Sequence, residues 1–163
     1  MSSDTLTTLA TLVGAKLKAR RMMLATAESC TGGWVAQAVT AIAGSSEWFE
    51  RGFVTYSDAA KQEMLGVSAS TLAAHGAVSE ETAREMAAGA LAHSRAQVAV
   101  AITGIAGPTG GSPEKPLGLV CFAWAVEEGA LRAETRHFKG NRESVRRQSV
   151  IAALQGVLEL LES

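Results

Sequence analysis

The stretch MMLATAESCTGGWVAQAV, Met22 to Val39, decides how this chain folds. Residues 22–28 form a short apolar run that stops abruptly, which predicts a buried strand. Glu28-Ser29-Cys30-Thr31 ends it, two glycines follow, and residues 31–43 carry Val35, Val39 and Ile42 at helical spacing. The order is therefore strand, sharp turn, helix. A side chain at such a turn can project into a cleft that the unpaired N–H groups of the first helical turn also face, and those amides bind phosphate or stabilise an oxyanion. Gly32 and Gly33 would let a ligand approach that backbone. Three candidate nucleophiles, Ser29, Cys30 and Thr31, stand side by side, although the G-x-S-x-G elbow pattern is absent. A Ser or Thr at this point is just as well explained as a helix N-cap, so the turn alone leaves both readings open.

Working outward, Leu6, Leu9, Val13 and Leu17 predict a first helix over residues 4–20, capped by Ser3 or Asp4. Arg51 to Tyr56 has strand character, and two short helices are expected at 58–65 and 68–75. Ser79 to Ser94 reads as a helix with Ser79 as N-cap and a stripe of Ala83, Met86, Ala87, Ala90 and Leu91, small enough for close packing on a sheet. Gln97 to Thr103 is a buried strand. Residues 119–126 and 130–138 form a strand pair around a turn at Glu127-Glu128-Gly129. A last helix follows, capped by Asn141, with Val150, Ile151, Leu154, Val157, Leu158 and Leu161 on its core stripe. Helices alternate with strands early and a hairpin comes late. The expected fold is α/β, a layered α/β/α arrangement with a mixed β-sheet, in a single domain spanning residues 1–163.

Bulk properties exclude several functions. A net charge of −1 over 163 residues argues against a dedicated nucleic-acid binder, which shows a basic face. No apolar run approaches a membrane span. Cys30 and Cys121 form no C-x-x-C pair, and His75, His93 and His137 lack metal-ligand spacing. No metal or cofactor is expected, and the location expected is cytoplasmic. Trp34, Trp48 and Trp124 are read as packing residues.

Two further segments could carry chemistry. In YSDAAK, Tyr56 closes a strand and Lys61 follows five residues later; a buried lysine beside a serine can serve as its base. Alone, that segment is better read as a strand-end aromatic and a solvated lysine. GIAGPTGGSPEKPLG, residues 104–118, holds all three prolines and five glycines. Long irregular loops in compact domains are often functional, and glycines after a buried strand suit anion capture by backbone amides. It is neither a Walker A loop nor a dinucleotide fingerprint. Arg142, Arg146 and Arg147 open the last helix; one turned toward the cleft would hold a phosphate.

In this order, LATAESCTGGWVAQAVTAIAGSSEWFERGFVTYSDAAKQEMLGV, GAVSEETAREMAAGA, AVAITGIAGPTGG and KPLGLVCFA resemble the CinA C-terminal domain family, from about Leu6 to Leu161. That family includes stand-alone nicotinamide-nucleotide amidohydrolases. The resemblance implies hydrolysis of the carboxamide of nicotinamide mononucleotide to nicotinate mononucleotide and ammonia. It implies Ser29 as nucleophile, with Tyr56 and Lys61 as its partners. Where the family often has Asn after Tyr-Ser, this chain has Asp58. Longer members carry an additional N-terminal domain, for which 163 residues leave no room.

The resulting expectations are specific. Lys61, neutral when desolvated, takes the Ser29 proton directly or through Tyr56. Backbone amides between Cys30 and Gly33 form the oxyanion hole, Thr31 caps the helix, and Glu28 offsets the pyridinium charge. Thr103, Gly104, Gly107, Gly110 and Gly111 supply amides for the phosphate, and Arg142 supplies charge. The partners expected are a pyridine nucleotide and a second copy in a homodimer, with no nucleic acid and no membrane. The competing class is a non-catalytic module that binds a phosphate ligand on the same elements; DNA handling is the poorer third.

Overall fold

The structure, a computed structural model, describes residues 2–162, with side chains from Thr5 onward. The elements run α1 (Ser2–Ala19), β1 (Leu24–Glu28), α2 (Trp34–Thr40), a single 3-10 turn (Ser45–Glu47), β2 (Phe49–Val54), α3 (Asp58–Leu65), α4 (Ala69–His75), α5 (Glu80–Ala92), β3 (Val98–Gly104), β4 (Leu119–Val126), β5 (Leu131–His137) and α6 (Arg142–Glu162). One five-stranded sheet has the order β2-β1-β3-β4-β5. β1 lies between β2 and β3, parallel to both, while β4 and β5 continue the sheet antiparallel. It is the mixed, layered α/β sheet that the sequence predicts.

Alternation along the strands sorts the two faces by size. Val98, Val100, Ile102, Val120, Phe122 and Trp124 face α1, α2 and α6. The intervening Ala99, Ala101, Cys121, Ala123 and Ala125, with Ala25 and Ala27, face α5. Without large side chains between them, α5 and the sheet approach closely, through Ala83, Ala87 and Ala90. The same closeness governs α5 against α3: a Cβ on Gly89 would lie 1.9 Å from the Leu65 carbonyl oxygen. On the opposite face, the Trp124 indole fills the space over Gly156 and donates to the Ala153 carbonyl at 3.0 Å. Trp48 is seated likewise over Gly14, so two of the three tryptophans are core residues, as expected.

Ser79 accepts from the Thr82 N–H at 3.1 Å and Asn141 from the Ser144 N–H at 2.9 Å, so both predicted caps are present. The cap expected at Ser3 or Asp4 concerns side chains outside the described residues. Two boundaries differ in ways that shape the site. α2 begins at Trp34, three residues later than predicted, because Gly32 and Gly33 adopt φ values of +60° and +104° that take the chain out of helical geometry. β2 ends at Val54 rather than Tyr56. The Thr55 N–H still bonds the Glu28 carbonyl at 2.8 Å, and beyond it the Thr55 and Tyr56 carbonyls leave the ladder.

Candidate active site

The turn after β1 is organised by Glu28. Its side chain is 1% exposed, and its carboxylate accepts from the Gly33, Val35 and Ala36 N–H groups at 3.2, 2.9 and 3.0 Å. The Thr31 hydroxyl donates to it at 2.6 Å. A buried carboxylate is stable there because it sits on the positive end of α2 and satisfies its first-turn donors. Glu28 is therefore the cap of α2, and Thr31, expected in that role, supports it. The Glu28 oxygens, expected to offset a ligand's charge, are bonded to the Thr31 hydroxyl and the start of α2. Gly32 donates to the Ser29 carbonyl at 3.0 Å and Gly33 to Glu28, which removes both from the proposed oxyanion donors. Among the described residues, the Cys30 and Thr31 N–H groups donate to no other residue.

Ser29 follows β1 directly and is 7% exposed. Lys61 reaches it from the first turn of α3, which Ser57 caps through the Ala60 N–H at 3.0 Å. Lys61 is 1% exposed; its Nζ lies 3.1 Å from Ser29 Oγ, 2.9 Å from the Thr55 carbonyl and 3.3 Å from the Tyr56 carbonyl. Burial pushes the Lys61 pKa below its ordinary value, while the Asp58 carboxylate and Cys30 pull it back upward. Burial dominates because an ammonium loses its hydration there and, among the described residues, no carboxylate bonds it. The neighbouring Cys30 thiol is pushed up to about 12, again by burial, with the Arg146 charge opposing. Of the two side chains, the hydroxyl has the Lys61 amine in contact and the thiol is pushed away from its ionised form.

A cavity of about 170 Å³ opens beside this pair, lined by Ser29, Cys30, Tyr56, Lys61, Ala77, Val78, Thr103, Gly104, Ala106 and Arg142. Thr103 and Gly104 are the last residues of β3, opposite Cys121 and Val120, and the Thr103 hydroxyl donates to the Ala77 carbonyl at 2.7 Å. Arg142 stands at the rim. It donates to the Gly107 carbonyl at 2.7 Å and to the Tyr56 hydroxyl at 3.3 Å. Tyr56 is 64% exposed, so its hydroxyl belongs to the rim while only its carbonyl touches Lys61. Gly110 and Gly111 line a separate hollow of about 430 Å³ within their own loop. Among the described residues, no group of three or more His, Cys, Asp or Glu is placed to hold a metal ion, and no helix is long and apolar enough to cross a membrane.

One residue named in the sequence only as a possible phosphate ligand has a different place. Arg146 donates to the Cys30 and Thr31 carbonyls at 3.0 and 3.1 Å, bracing the turn after β1 from α6. Its spacing of four from Arg142, on one helix face, was the available signal.

The arrangement is a serine with a buried amine as its partner, in a strand–turn–helix corner. A family model described as the CinA C-terminal domain matches residues 6–161. The chain belongs to the CinA C-terminal domain family. A relative called nicotinamide-nucleotide amidohydrolase PncC, from Escherichia coli strain K12, is 57% identical over 155 residues, covering 95% of this chain and 94% of the relative. A protein of the same name from Pseudomonas putida is 52% identical, covering 96% and 98%. The crystal structure of competence/damage inducible protein CihA from Agrobacterium tumefaciens superposes with a TM-score of 0.93 at 47% identity, covering 98% of this chain and 96% of that one. CinA family membership, expected from the ordered motifs, is thereby established.

Proposed function

We propose that this protein is a nicotinamide-nucleotide amidohydrolase that converts nicotinamide mononucleotide to nicotinate mononucleotide and ammonia through a Ser29–Lys61 pair. The observation that carries the reading is the 3.1 Å contact between Lys61 Nζ and Ser29 Oγ, with both groups buried at one wall of a cavity. The names of the relatives supply the substrate class.

A neutral amine has two hydrogens and one lone pair. The Thr55 and Tyr56 carbonyls accept the two hydrogens, which directs the lone pair at the Ser29 hydroxyl. An unperturbed lysine, with a pKa of about 10.4, is almost wholly charged at neutral pH; burial moves Lys61 toward the form that can accept a proton. Ser29 Oγ then attacks the carboxamide carbon as its proton passes to Nζ. The oxyanion forms beside the Cys30 N–H, the amide following the nucleophile. Lys61 returns the proton to the departing nitrogen, and ammonia leaves a nicotinoyl ester on Ser29. Water, deprotonated by Lys61, attacks that ester; Lys61 hands the proton to the departing Ser29 Oγ, and nicotinate mononucleotide leaves as the carboxylate. The proton route is direct, since the Tyr56 hydroxyl lies with Arg142.

A cavity of about 170 Å³ is smaller than a site for a whole drug-sized ligand, typically ~300 Å³ or more. It suits the pyridine ring and its amide, with the ribose phosphate at the rim near Arg142 and the 105–118 loop. Ammonia release across nicotinamide mononucleotide, the riboside, the free base and the dinucleotide tests the substrate. Folded Ser29→Ala should be silent on all four. Near-full activity in that variant would falsify the nucleophile assignment.

A further inference from the structure

Resting on the amidohydrolase reading above, we propose that Arg146 is the positioning residue of the oxyanion hole, setting the donor amides of the nucleophile turn from behind. It does not line the cavity. Its Nε holds the Cys30 carbonyl and its Nη2 the Thr31 carbonyl, at 3.0 and 3.1 Å. A trans peptide is planar, so fixing a carbonyl fixes the following N–H in the opposite direction. Holding the Cys30 oxygen aims the Thr31 N–H away from the guanidinium. Holding the Thr31 oxygen, which also accepts from the Trp34 N–H at 3.0 Å, aims the Gly32 N–H, which bonds the Ser29 carbonyl at 3.0 Å. That bond in turn orients the Ser29–Cys30 peptide, whose N–H points away from it.

Two consecutive peptide links therefore run from a fixed positive charge to the amide beside the nucleophile. Hydrogen bonds in such a chain polarise one another, so the Cys30 N–H is both aimed and strengthened as a donor. Cys30 and Thr31 are 6% and 0% exposed, and neither amide donates to another described residue. Buried N–H groups without an acceptor are rare. The Thr31 N–H has no acceptor and the Cys30 N–H meets only its own sulfur, a weak one, which leaves both able to turn to a negative charge that exists only during reaction.

The site around Arg146 is made for this. The Trp34 ring covers the guanidinium at 5.5 Å, and a Cβ on Gly32 would come within 3.4 Å of Nη2. A substrate-phosphate role belongs to Arg142, which stands at the cavity rim, whereas two of the three Arg146 nitrogens are engaged by the turn.

The test compares ammonia release from nicotinamide mononucleotide by wild type, Arg146→Met and Arg146→Lys, together with the affinity of the product nicotinate mononucleotide and thermal melting. In folded Arg146→Met, kcat should fall roughly 100-fold, the scale of losing one oxyanion donor. KM and product affinity should stay within about threefold, because the ground state does not use these donors. Arg146→Lys keeps the charge with fewer points of attachment and should recover part of kcat. Near wild-type kcat in folded Arg146→Met, or a rise in KM with kcat unchanged, overturns the proposal. Should Arg146→Met not fold, Arg146→Lys decides: an intermediate kcat with KM preserved supports the role, and a fully wild-type kcat overturns it. Wild-type protein that releases no ammonia would instead condemn the amidohydrolase reading, leaving a visibly different result.

Discussion

The molecule has two glycine-rich segments at the ends of neighbouring parallel strands, and they are built on opposite plans. In the turn from Glu28 to Gly33, carbonyls and amides are tied down by Glu28 from within and Arg146 from α6. Among the described residues, the N–H groups of this turn that donate to no other residue are those of Cys30 and Thr31. The loop from Ile105 to Gly118 is pinned at its base, where Gly118 donates to Ile105 at 2.7 Å and Ile105 to Leu119 at 2.9 Å. Further out, its backbone bonds to the rest of the chain are few, and the Gly107 carbonyl accepts from Arg142. The difference matches two tasks. A developing oxyanion needs donors that do not reorganise; the distal part of a substrate needs a surface that can adjust. Substitutions in the turn should therefore act on kcat and stability, and substitutions at the loop and its Arg142 anchor on KM.

The hardest blow to that comparison is Glu28→Ala. It strips the acceptor from three buried or half-buried amides and from the Thr31 hydroxyl. Charge-assisted bonds of this kind are worth about 1.5–3 kcal/mol each in protein stability, so a loss of at least ~3 kcal/mol is expected, with activity lost alongside. Urea unfolding measures the first and ammonia release the second. Glu28→Gln should fall between, since an amide keeps one acceptor oxygen. A stable, active Glu28→Ala would show that the turn does not depend on its cap.

Next in size is Lys61→Met, which should lower kcat by roughly 100- to 10,000-fold, the range for losing a general base. Its stability should move the other way. The folded-state pKa of Lys61 lies below the unfolded value, so between the two the unfolded chain binds more protons and stability rises with pH. Wild type thus carries the cost of the buried amine at neutral pH and sheds it as pH climbs toward about 10.4. Lys61→Met should be the more stable protein near pH 7, with the gap closing in alkaline buffer. A gap independent of pH would mean that Lys61 is not depressed. In the same sense, Asp58→Asn removes a charge that holds the Lys61 pKa up, and should shift the alkaline rise of kcat/KM toward lower pH.

How much of this was legible in the sequence depends on the distance over which each contact acts. The layers and most elements followed from local periodicity, and Ser79 and Asn141 from local capping rules. Glu28 as the cap of α2 was not, because it acts from seven positions before the Val35 amide, outside the residue where a cap is sought. Lys61 meets Ser29 across 32 positions and Arg146 meets Cys30 across 116. No spacing rule reaches that far. Lys61 was singled out mainly by family resemblance, and Arg146 was left as one of three basic residues on a helix. The end of β2 was misplaced by two residues because strand propensity in Thr55 and Tyr56 continues where the ladder does not.

The loop side of the comparison is tested by Arg142→Ala. Arg142 lies on the cavity rim, and one charge-assisted bond to a phosphate corresponds to roughly a tenfold rise in KM. The rise should appear with the mononucleotide and shrink with the riboside, which lacks the phosphate, while kcat changes little. An equal rise with both substrates would assign Arg142 to closing the rim through Tyr56 and Gly107 instead.

The smallest effect expected is at Cys30, and it separates side chain from backbone within the turn. The thiol is pushed up to about 12, so at neutral pH it is neither a thiolate nucleophile nor a base. Its N–H, by contrast, is the proposed oxyanion donor and survives any side-chain change. Cys30→Ala should therefore keep kcat within about threefold of wild type, with its pH profile unmoved, and thiol alkylation should not inactivate the native protein. Cys30→Ala would expose a misassignment if it were folded yet dead. The reaction would then run through the sulfur, Ser29 would become a hydrogen-bonding neighbour, and the kcat effects expected at Arg146 and Glu28 would have to be re-derived around a thiolate.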